Sequence, residues 1–76
     1  MITGSQIRAA RALLNWSAQR LADESGVGVA TVRRMELAIS IPSSNAQTLA
    51  LVKNAFESAG VEFIGVPNDR PGVRFK

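Results

Sequence analysis

Along the first 37 residues the apolar positions recur every three to four residues in three short runs, each opened by a small or polar residue. In the first run Ile7, Ala10 and Leu14 lie on one side of a helix that starts at Thr3 and ends at Asn15. Thr3 and Gln6 have the spacing of a capping box, and Ile2 and Ile7 that of a hydrophobic staple. Trp16 and Leu21 repeat the staple around a cap at Ser17, and Val27 and Val32 repeat it around Gly28. The third helix runs to about Leu37. Pro42 forbids further helix and biases Ile41 to an extended backbone, so residues 38–43 read as a loop. Ser44 and Gln47 have the capping-box spacing for a fourth helix, with Leu49, Val52, Phe56 and Ala59 on its apolar face and Gly60 as its stop. The period then changes to two. Residues 61–66 read as a strand, 67–72 as a loop and 73–75 as a returning strand. Alternation turns Val61 and Phe63 toward the helices, with Val73 and Phe75 beside them, and leaves Ile64 and Val66 on an uncovered face.

The stretch from Trp16 to Leu37 organises the rest. Leu21 and Ala22 fall on one face of its first helix, Val32 and Met35 on one face of its second. Two helices meeting at about 90–120° across a three- or four-residue turn approach closely only where a side chain is small. Ala22 is that residue, and Gly26, in the turn Ser25-Gly26-Val27-Gly28, can take positive φ. The stretch is a helix-turn-helix by physical construction. Arg11, on the apolar stripe of the first helix, and Glu36, at the end of the third, are charges placed where core residues belong. Arg8 points off the stripe and reads as solvated.

Composition narrows the chemistry. The chain has 76 residues, 46% of them apolar, enough for one small folded domain. It has neither cysteine nor histidine, which removes disulfides, thiolate metal sites and the usual general base. Asp23, Glu24, Glu57, Glu62 and Asp69 are scattered, so no catalytic or metal constellation assembles, and no cofactor motif is present. No run approaches the ~20 apolar residues of a membrane span and no signal-peptide pattern opens the chain, so a soluble cytoplasmic protein is expected. The net charge of +3 suits a polyanionic partner without requiring one.

Leu21-Ala22, Gly26, Val32, Met35 and Glu36, together with Thr3-Gly4-x-Gln6-Ile7-Arg8-x-Ala10-Arg11 and Trp16-Ser17, give a pattern that resembles the phage-repressor (Cro/cI-type, XRE) helix-turn-helix family over about residues 2–60. The resemblance implies a mainly α fold: a single four-helix Cro/cI-type domain over 1–76, its helix-turn-helix at about 17–37, here with a short C-terminal β-hairpin at about 61–76. It implies a small transcriptional regulator whose third helix binds operator DNA in the major groove. Carried over by position, Val29, Ala30, Thr31, Arg33 and Arg34 form the reading face, with Ser17 and Ala18 at the phosphates. The same resemblance pairs Arg11 with Glu36 as a structural ion pair, and a charge in an apolar stripe needs such a partner.

Several positions depart from the family pattern. Ala18 stands where many relatives have a phosphate-binding Gln, and Gly28 where many have a Ser or Thr cap. The loop Leu37-Ala38-Ile39-Ser40-Ile41 has no basic residue. Phosphate contacts supply most non-specific affinity, so these losses weaken DNA binding. They also leave Leu37, Ile39 and Ile41, with Ile64 and Val66 on the hairpin, as an apolar surface of the kind that marks a protein contact. A second reading therefore stands beside the first: a repressor fold that binds a regulatory protein, as an antiactivator of a transcription factor or an antitoxin-like partner. If double-stranded DNA is the partner, two half-sites call for a homodimer.

Overall fold

The structure, a computed structural model, describes residues 1–38, 41–43 and 45–76. Four helices come first, α1 (Gly4–Leu14), α2 (Ala18–Ser25), α3 (Val29–Glu36) and α4 (Ala46–Ser58). An antiparallel pair follows, β1 (Val61–Val66) and β2 (Asp69–Phe75).

Each helix start has an identifiable cause. The Thr3 hydroxyl accepts from the Gln6 N–H at 3.0 Å while the Gln6 side chain accepts from the Thr3 N–H at 2.8 Å, which satisfies two of the free donors at the start of α1. Ile2 and Ile7 are both buried, as a staple requires. α1 stops at Asn15, whose left-handed backbone (φ 57) an Asn side chain tolerates. Ser17 caps α2 by accepting from the Arg20 N–H at 3.0 Å. α2 ends at Gly26, where φ 75 turns the chain, and Ser25 Oγ steadies the turn by accepting from the Val27 N–H at 3.2 Å. Gly28 starts α3 with no side-chain cap. The fourth start differs from the expected one. Asn45 is the cap, accepting from the Thr48 N–H at 2.7 Å; Ser44 lies outside the described residues. Asn caps as well as Ser, so the helix can start one residue later than the capping-box spacing indicated.

Ile7, Leu21, Val32, Met35, Val52, Phe56 and Val61 make the fully buried centre. Phe56 joins α4 to the α1–α2 link and to β1, since Trp16 stacks on it at 5.7 Å between centroids and Phe63 meets it edge-on at 5.9 Å. Trp16, placed by its spacing as a staple partner of Leu21, is half-buried and also packs on Phe56 of α4.

The hairpin is longer than its sequence suggested. β2 begins at Asp69, not at residue 73, and only Pro67 and Asn68 turn the chain. The register runs Val61↔Phe75, Phe63↔Val73 and Ile64↔Gly72, then slips to Val66↔Asp69, so Arg70 and Pro71 together oppose Gly65. This bulge accommodates a proline with no N–H to donate and an Arg70 at φ 52. Gly65 (φ 75) faces the Arg70 carbonyl so closely that a Cβ would collide with it. Two burial expectations change with the geometry. Phe75, at the open end of the ribbon, is 55% exposed, and Ile64 is half-buried. The Gln6 side chain pins the ribbon to α1, donating to the carbonyls of Ile64 (3.3 Å) and Gly72 (2.9 Å).

Candidate nucleic-acid interface

α3 has a bound face and a free one. Val32, Met35 and Glu36 are buried, and Val29 packs against the core while remaining half-exposed. At ~100° per residue Ala30, Arg33, Arg34 and Leu37 fall on the opposite side, and all four are exposed. Thr31 is half-buried at the margin. Among the described residues neither Arg33 nor Arg34 enters an ion pair, so both guanidinium groups are uncommitted. Of the five reading positions, three thus share the outer face and two flank it.

Ser17 is exposed at the start of α2, where its oxygen serves the cap and its own O–H stays free to donate. Ala18 is half-buried against the core. Arg20, which sequence reasoning passed over, lies in the same first turn. It stands 5.2 Å over the Trp16 ring and pairs with Glu24 at 2.9 Å. The i,i+4 spacing of Arg20 and Glu24 was a readable signal for that pair.

The far end of α3 is tied to α1. Arg11 grips Glu36 with two hydrogen bonds, Nε to Oε2 at 2.5 Å and Nη2 to Oε1 at 3.0 Å. Its remaining Nη1 donates to the Trp16 carbonyl at 2.9 Å, so one guanidinium joins α1, α3 and the α1–α2 link. The hydrogen bonds that Arg11 donates to Glu36, opposed by burial and helped by the negative charge of the carboxylate, raise the Arg11 pKa above its ordinary value. Arg8 does not float in solvent as its phase suggested. It donates to the Glu36 carbonyl, at the end of α3, and to Ser5 Oγ at 3.1 Å. Arg8 and Arg11 are three residues apart and so reach the same side of α1. The backbones themselves approach here, for a Cβ on Gly4 would strike the carbonyl oxygens of Met35 and Ala38. α3 is therefore held rigidly from behind, with its outer face unobstructed by these contacts.

The apolar candidates separate into two groups. Leu37 is 82% exposed at the end of α3, and Ile41 lies exposed farther along the loop. Val66, 58% exposed, sits on the hairpin beyond the half-buried Ile64. Ile39 lies outside the described residues. Among the described residues no cluster of His, Cys, Asp or Glu can hold a metal ion, and no helix is long and apolar enough to cross a membrane. The profile of a family described as helix-turn-helix matches residues 7–50, which is more than half of the chain and takes in most of α1, all of α2 and α3 and the start of α4. No curated protein matches the chain.

Proposed function

We propose that α3 reads operator DNA in the major groove, because the chain belongs to the Cro/cI-type (XRE) helix-turn-helix family, whose members are DNA-binding transcription regulators. The observation that carries this reading is the pair of uncommitted guanidinium groups of Arg33 and Arg34, on the free face of a helix whose other face is locked to the core. Arginine meets the O6 and N7 of guanine with two parallel donors, and Ala30 offers a methyl of the right size to lie against a thymine methyl. Val29 and Thr31 border that contact. The free O–H of Ser17 and the N–H groups opening α2 face a phosphate in the docking of this motif. Two copies occupy the two halves of a symmetric operator.

The exposed Leu37 and Ile41 favour a second reading, in which this face takes a regulatory protein. A titration of labelled random-sequence and selected duplexes at two salt concentrations separates them. A groove reader retards DNA, prefers selected sequences, and loses affinity with salt at a log-log slope of about −0.9 per phosphate contacted. Absence of retardation at micromolar protein, at both salt concentrations, rejects DNA reading in favour of the protein partner.

A further inference from the structure

The free face of α3 is a strip with a fixed order: Ala30, then Arg33 and Arg34, then Leu37. Leu37 is placed on it by backbone geometry. Its φ −74 and ψ −17 keep the right-handed helical conformation at the cap, so its side chain stays in phase with Arg33 and Arg34 one turn before. It is 82% exposed, more than any other large apolar side chain among the described residues. A leucine left so open on the same strip as two free arginines is continuous with the reading face, not with the core.

We propose that Leu37 is a base-reading residue: its methyl groups lie against the C5-methyl of a thymine in the major groove, at the end of the contact opposite Ala30. This rests on the operator-reading function above and adds the class of sequence read. Seven residues of helix advance ~10.5 Å, about three base-pair steps of ~3.4 Å. The strip therefore matches a half-site in which guanines facing Arg33 and Arg34 are bracketed by A·T pairs, with a thymine methyl at each end. The chemistry discriminates, because in the major groove only thymine presents a methyl, and cytosine presents an amino donor that a leucine cannot satisfy.

The test uses the whole chain. Duplexes are selected from a random pool, and each thymine of the best site is replaced in turn by deoxyuracil, which lacks only the methyl group. For one thymine flanking the guanines, the replacement should weaken the wild type about fourfold, the value of one buried methyl. The same replacement should leave Leu37→Ala unchanged, while Arg33→Ala keeps the thymine preference and loses the guanine preference. Circular dichroism of Leu37→Ala should match the wild type, since the side chain touches solvent. A site whose flanking thymines are all insensitive to the replacement overturns the assignment, as does a Leu37→Ala variant in which every thymine keeps the sensitivity it has with the wild type. Both outcomes leave groove reading standing. Failure to select any sequence removes groove reading and this assignment together. Loss of capture of a protein partner by Leu37→Ala, with DNA affinity unaltered, assigns the leucine to protein contact instead.

Discussion

Arg11 illustrates how one side chain connects stability to the placement of α3. Its side chain is 24% exposed and that of Glu36 9%, so the pair is mostly removed from water and its two hydrogen bonds hold the end of α3. Arg11→Met strands a carboxylate among buried groups, and about 3 kcal/mol of stability should be lost in urea titration. Adding Glu36→Leu to that variant should restore most of the loss, because an apolar pair of similar volume has no charge left to desolvate. The raised Arg11 pKa sets the direction of its pH effect. A base whose folded pKa lies above its unfolded one stabilises fully below the ordinary guanidinium range, and this is lost only as pH rises through the raised folded value. The Arg11→Met deficit should therefore be equal at about pH 6 and about pH 9. A deficit that shrinks by half across that interval contradicts the assignment. Arg8→Ala, which removes the donors to the Glu36 carbonyl and to Ser5 Oγ but strands no charge, should cost less, about 1 kcal/mol.

At the scale of elements, Gln6 does two things with one amide. Its oxygen completes the capping box and its nitrogen holds the ribbon through the carbonyls of Ile64 and Gly72. Glu is a favoured residue at this position of a capping box, so local helix chemistry alone makes Gln6→Glu neutral. The tertiary contact makes it harmful: a carboxylate cannot donate to two carbonyls. Gln6→Glu should lower the thermal midpoint at least as far as Gln6→Ala, and amide exchange should quicken in β1 and β2 before it does in α2. The same residue shows where the sequence could be read and where it could not. Three helix starts and the core face of α3, with Val32 and Met35, were legible because staples, caps and the helical period are local. The extent of β2 was not, since Arg70-Pro71 reads as a loop unless a bulge opposite Gly65 absorbs it. The second roles of Gln6 and Arg8 depend on which element α1 crosses, and no spacing within α1 encodes that.

The whole molecule sets the last expectation. Its backbone measures 29 × 26 × 18 Å, shorter than the repeat of about 34–36 Å between half-sites of a symmetric operator, so under the proposed reading one copy would serve one half-site. Two copies in contact, each about one molecular width across, can bring their α3 helices to that spacing without a linker. The ribbon is the element best suited to the contact. It has only two strands, each with one edge unpaired, and Val66 and Phe75 stand 58% and 55% exposed on it. A homodimer formed there predicts a concentration-dependent sedimentation coefficient and a steep, cooperative operator-binding curve. Val66→Lys combined with Phe75→Lys should abolish the dimer and weaken binding to a two-half-site operator far more than to an isolated half-site. The helical signal should survive, because both side chains are already more than half in water. If the wild type sediments as a monomer at high micromolar concentration, with and without operator, ribbon pairing is excluded, and the exposed apolar residues of the hairpin are then free for a different protein.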